Sequence, residues 1–60
     1  MTRKDYVLIA NVLAVAYHAT ETIEQSATVV AVIVRMADAL RRTNERFDHA
    51  RFLKACGVQS

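Results

Sequence analysis

Cys56, the single cysteine of this sequence, could serve as a nucleophile, and His49 lies seven positions before it near the C-terminal end. On one helix that spacing is about 10 Å along the axis, whereas direct proton transfer from thiol to imidazole needs roughly 3 Å. A helix C-terminus also disfavours a thiolate, so Cys56 reads as a small buried apolar residue rather than a nucleophile. His18 shares a narrow polar line with Lys4 and Asn11 and reads either as a pH-sensitive interface contact or as a polar residue at a helix edge. Tyr6 and Tyr17 have the ring faces for stacking on bases, but their place on an apolar stripe favours core packing. Cys56, His18, His49 and the scattered carboxylates lack the spacing of zinc ligands. No glycine-rich phosphate loop, carboxylate pair or triad is present. The expectation is therefore a protein without catalytic, metal or cofactor residues and not an enzyme.

The charges offer a second kind of chemistry. Residues 35–60 carry Arg35, Arg41, Arg42, Arg46, Arg51 and Lys54 against Asp38, Glu45 and Asp48, while the first part of the chain is acidic by one charge. Arg41, Arg42, Arg46, Arg51 and Lys54 are the candidate contacts for phosphate groups of nucleic acid or a nucleotide, or for an acidic protein. Solvent alone is the other reading of the same face.

Three helical elements must position these residues. There is no proline, and Gly57 is the only glycine, so nothing earlier forces the backbone out of a helix. The first helix is expected over about residues 3–19, capped by Thr2 with Asp5 three positions on. Tyr6, Ile9, Ala10, Leu13, Ala16 and Tyr17 make one apolar stripe at helical spacing, and Leu8, Val12, Val15 and Ala19 make a second beside it. Such a helix wants partners around most of its circumference. Thr20 to Gln25 form a corner, and a second helix runs over about 22–42. Its apolar lines are Ile23, Ala27, Val30, Val34 and Ala37, with Val29, Ile33, Met36 and Leu40 beside them. Asp38 has Arg35, Arg41 and Arg42 within three or four positions for ion pairing. The β-branched run "TVVAVIV", residues 28–34, has strand propensity. Helical spacing nevertheless continues through "RMADAL", and no second strand exists to pair with it.

The third helix is expected over about 49–56. Asp48 is placed to cap it, Phe47 and Phe52 have the spacing of a hydrophobic staple, and Gly57 stands where a left-handed terminating residue belongs. Phe52, Leu53 and Cys56 share its inner face, leaving Arg46, Arg51 and Lys54 outside. At this point the chain resembles a family of small proteins encoded by bacteriophages and prophages. "MTRKDYVLIA" at the start, and "ADAL" at residues 37–40 with "TNERFDHARFLKACGV" at residues 43–58, carry the resemblance. The family pattern has an MTRKDY-like start, an apolar helix, and then N-P-R-F-D-x-x-R-F-L-x-A-C-G. Glu45 stands where the pattern usually has proline. Family members are generally uncharacterised, so the resemblance implies a phage origin and a host bacterial cytoplasm without implying an activity.

Size decides the expected assembly. Sixty residues bury only about 60% of the surface of the unfolded chain, and such domains usually need disulfides, a metal or self-association. A single cysteine excludes an internal disulfide and fits a reducing compartment. Hydrophobic residues are 53% of the chain. The apolar run from Tyr6 to Ala19 is shorter than the roughly 20 residues of a membrane span, and no signal-peptide cleavage pattern is visible. The expected fold is all-α: two longer antiparallel helices and a short C-terminal helix, packed as a helical homo-oligomer. Ile9, Leu13, Val30, Ile33, Met36, Leu40, Phe47 and Phe52 are the expected core and oligomer residues. The leading functional expectation is a phage binding protein that engages a host or phage protein. Nucleic-acid or nucleotide binding and a structural role in the virion are the alternatives.

Overall fold

Thr2 opens the first helix by donating both its backbone N–H and its hydroxyl to Asp5 Oδ2, at 2.9 and 3.3 Å, in a capping box. In the computed structural model, which describes residues 2–58, this helix, α1, spans Arg3–His18. Helix α2 spans Ile23–Thr43 and α3 spans His49–Ala55. All regular structure in the described residues is helical, and "TVVAVIV" lies within α2. Ile33 of this run is buried and Val29 packs against the core, and packing of that face overrides strand propensity.

The corner between α1 and α2 is built from side-chain hydrogen bonds. Thr20 Oγ1 donates to the Tyr17 carbonyl at 2.7 Å and lies 2.7 Å from Ser26 Oγ. With its one proton committed, Thr20 accepts from Ser26. Thr22 caps α2 by accepting from the Gln25 amide at 3.1 Å, and Gln25 Oε1 accepts from the Glu21 amide at 2.8 Å. At the far end, Asn44 Nδ2 donates to the Tyr6 hydroxyl at 3.1 Å, joining the end of α2 to the start of α1. The two long helices therefore run antiparallel.

Of the two apolar stripes of α1, the one through Tyr6, Ile9, Ala10, Leu13 and Tyr17 turns inward. Ala10 on α1 and Ala37 on α2 are buried and allow the backbones to approach; Ile33, Leu40, Phe52 and Cys56 complete the core. Tyr6, Ile9, Leu13, Tyr17, Val29, Phe47, Leu53 and Val58 pack around it, half-buried. Among the described residues no polar or charged side chain is buried. The second stripe of α1 stays in solvent: Leu8 is 63%, Val12 61% and Val15 70% exposed. On α2, Val34 and Met36 are exposed, as is Ile23 at 89%. The inner face of α2 thus runs through Val29, Ile33, Ala37 and Leu40. Met36, expected in the core or an oligomer contact, lies outside this chain's own core because it sits a third of a turn from Ala37.

Helix α3 closes across the pair. Asp48 Oδ1 accepts from the Arg51 amide at 3.0 Å, capping it. The Phe47 and Phe52 rings pack with centroids 5.3 Å apart and planes tilted by 57°, completing the staple. At its C-terminal end the Gly57 amide donates to the Lys54 carbonyl and the Val58 amide to the Leu53 carbonyl, at 3.0 and 3.1 Å. Gly57 has φ +84°, the left-handed value that this Schellman arrangement requires.

Candidate functional site

Asn44 is the residue that shapes one end of the molecule. Its Oδ1 accepts from the Arg46 amide at 3.0 Å and its carbonyl from the Phe47 amide at 3.0 Å, turning the chain sharply after α2. This turn places the Phe47 ring 4.9 Å from that of Tyr6, tilted by 53°. Tyr6, Phe47 and Phe52 then make a continuous aromatic floor between the start of α1 and the start of α3. Above it lies an open cleft of about 430 Å³, within the range of small binding sites.

Three guanidinium groups line this cleft: Arg3 from α1, Arg46 from the turn and Arg51 from α3. None of the three forms an ion pair among the described residues. Asp48 also lines the cleft, but one of its carboxylate oxygens is occupied by the Arg51 amide. The arrangement is an apolar, aromatic base with a positive rim. Guanidinium forks pair bidentately with carboxylates or phosphates, so an anionic group carried on an apolar body fits both parts.

The basic cluster expected from the sequence divides in two. Arg46 and Arg51 reach the cleft, while Arg42 and Lys54 are exposed elsewhere. Arg41 lies 3.6 Å from Asp38 on the solvent side of α2. Asp38 meets Arg41 alone of the three arginines expected for it; its other partner is His49 on α3, with Nε2 at 2.9 Å from Oδ1. Arg3 and Tyr6 belong to the cleft and were not expected there. Docking of α3 brings the start of α1 beside the turn after α2 and the start of α3.

Cys56 has no exposed surface, and burial pushes its thiol pKa up, so it packs as an apolar residue. Tyr17 packs on the core, its ring 5.7 Å from that of the exposed His18. Among the described residues no group of three or more histidine, cysteine or carboxylate side chains is placed to hold a metal ion. No helix there is long and apolar enough to cross a membrane.

A second surface is the outer face of α1. Leu8, Val12 and Val15 follow one another at four and three positions and line one side of the helix. Ala16 and Ala19 extend this side into a shallow groove bordered by Gln25, Thr28 and Val29 of α2. Compared with protein-family models, curated proteins and solved structures, the chain matches none.

Proposed function

We propose that this chain is a small, non-enzymatic binding protein of bacteriophage or prophage origin that acts in the host bacterial cytoplasm as a helical homo-oligomer and engages a host or phage protein. The observation that carries this reading is the amount of surface the single chain leaves exposed. A folded monomer of 6.7 kDa exposes about 3900 Å² by the general scaling with mass. This chain exposes 4610 Å², about 700 Å² more, close to the roughly 800 Å² each partner contributes to a standard interface. Large apolar side chains stand in water on both long helices, and Leu8, Val12 and Val15 form a line of them along one side of α1. Contiguous apolar patches of this kind mark interaction sites. A two-fold contact between two such faces is the simplest way to cover them, with Val12 near the centre. The phage origin is supported by the resemblance of "MTRKDYVLIA" and "TNERFDHARFLKACGV" to that family.

Cysteine cross-linking tests the α1 contact. In Val12→Cys the new thiol is exposed while Cys56 is buried. A two-fold contact through α1 predicts rapid formation of a disulfide-linked dimer, faster than in Lys4→Cys at the edge of the helix. Equal, slow cross-linking of both variants contradicts it.

The three arginines of the cleft favour a second reading, nucleotide or nucleic-acid binding. Against it, the Tyr6, Phe47 and Phe52 rings are mutually tilted by 53° and 57° and offer no flat slot for a base. Phosphate contacts would show as affinity that falls steeply with salt and is lost in Arg46→Ala.

A further inference from the structure

The aromatic cleft with its arginine rim lies at one end of a molecule 34 Å long and 18 Å wide. At the other end of α1, about 24 Å away for a helix of 16 residues, stands the α1–α2 corner. There the side chain of Ile23 is 89% exposed, the most exposed large hydrophobic residue described. Glu21 and Glu24 flank it, both exposed. No lysine or arginine occurs between Lys4 and Arg35, so this corner is the acidic end of the chain. The opposite end carries Arg3, Lys4, Arg46 and Arg51 against Asp5, Glu45 and Asp48, with Arg41 and Arg42 in the last turn of α2. Asp5 and Asp48 are already engaged as helix caps.

We propose that the cleft receives the α1–α2 corner of a second copy of this chain, with Ile23 seated on Tyr6 and Phe47 and with Glu21 and Glu24 meeting Arg3, Arg46 and Arg51. The fit rests on two complementarities. An exposed aliphatic knob matches an apolar base, and two carboxylates match three guanidiniums without ion pairs of their own among the described residues. The first supplies affinity by removing the exposed Ile23 side chain from water. The second steers orientation and rejects partners whose knobs lack acid. The rings of the base are tilted, which suits a branched aliphatic side chain better than a flat one.

Because knob and cleft are different surfaces on opposite ends, the contact is head-to-tail and each copy keeps one free knob and one free cleft. Assembly therefore continues past the dimer, into a ring or a filament. Combined with a two-fold contact on α1, it cross-links such chains laterally. This inference rests on the reading of the protein as self-associating, but it uses a different surface from the outer face of α1.

A mixing experiment separates the two contacts. Val12→Glu serves as the parent because it places a charge on the outer face of α1 at an exposed site and leaves knob and cleft intact. In this parent, the knob is removed by Glu21→Lys with Ile23→Ser, or by Ile23→Ser alone should the double change disturb the corner. The cleft is removed by Arg46→Glu with Arg51→Glu, which places Glu at the third position of α3, where acid is favourable. Circular dichroism verifies that each remains helical. Sedimentation velocity is expected to show that the parent forms a concentration-dependent series of species and that each derivative associates at least tenfold more weakly. An equimolar mixture of the two derivatives is expected to yield a one-to-one pair and nothing larger, since only one knob and one cleft remain. Derivatives that associate like the parent, or a mixture that stays monomeric, overturn the proposal. A parent that is monomeric while the wild-type chain assembles also overturns it and leaves the α1 contact standing. A monomeric wild-type chain overturns both.

Discussion

His49 Nε2 donates to Asp38 Oδ1 across 2.9 Å, and this half-buried bond ties the first residue of α3 to the side of α2. A short helix of seven residues does not stand alone in water, so its position depends on such ties and on the aromatic staple. His49→Ala and Asp38→Ala are each expected to lower stability to urea by about 1 kcal/mol. The double variant should cost little more than either single one, because both remove the same bond. Asp38→Ala also removes the Arg41 ion pair, an exposed contact that contributes little. Costs that add fully would show that the bond is not shared in this way.

Phe52 is nearly inaccessible and Phe47 half-buried, so the two staple residues separate by magnitude. Phe52→Ala is expected to cost about 3–5 kcal/mol through the cavity it leaves, and Phe47→Ala distinctly less. Cys56 reports the result directly. Its thiol is buried and its pKa raised, so in the native chain it should react slowly with a disulfide reagent. Both variants should accelerate the reaction, Phe52→Ala the more, as α3 opens.

Gly57 has φ +84°, and a β-carbon built there would lie 3.5 Å from His18 Nε2, an ordinary contact. Space is thus not the obstacle; the left-handed backbone is. Gly57→Ala is expected to cost roughly 1–2 kcal/mol, and Gly57→Asn less, since asparagine tolerates that region. Equal melting temperatures for glycine and alanine would contradict the Schellman ending.

Asp5 accepts hydrogen bonds from the Thr2 backbone amide and hydroxyl, and the amide bond above all holds its carboxyl below the ordinary aspartate pKa. A pKa lower in the folded than in the unfolded chain means that the charged form favours folding. Its contribution is complete above the ordinary value of 3.8 and is lost as pH falls through the lower folded value. Asp5→Asn should therefore melt earlier than wild type at neutral pH, and the gap should close in acid below that range. A gap that persists unchanged into strong acid would mean that the carboxylate charge is not what the cap uses.

The parts of this fold that sequence spacing revealed are those set by short-range geometry. The Thr2–Asp5 box, the Asp48 cap, the Phe47–Phe52 staple and the Gly57 ending each involve residues within a few positions, and their backbone requirements are local. What spacing did not reveal is set by docking. Tyr6 and Asn44 are 38 positions apart, and their bond exists only because α1 and α2 are antiparallel neighbours. The meeting of Arg3 with Arg46 and Arg51 has the same origin. Periodicity marked Tyr6, Ile9, Leu13 and Tyr17 as one apolar stripe of α1 and Leu8, Val12 and Val15 as a second, without saying whether a single chain covers both. The folded chain covers the first and leaves the second in solvent.

That outward stripe is the centre of the account, and sedimentation equilibrium of the wild-type chain beside Val12→Glu tests it most directly. The wild-type chain at micromolar concentration is predicted to have a mass at least twice that of one chain. Val12→Glu is predicted to remain equally helical but to shift toward lower mass, because the charge stands where a second copy would exclude water. A wild-type chain that sediments as a single copy across the same concentrations, or a Val12→Glu variant whose assembly matches it, would contradict the account.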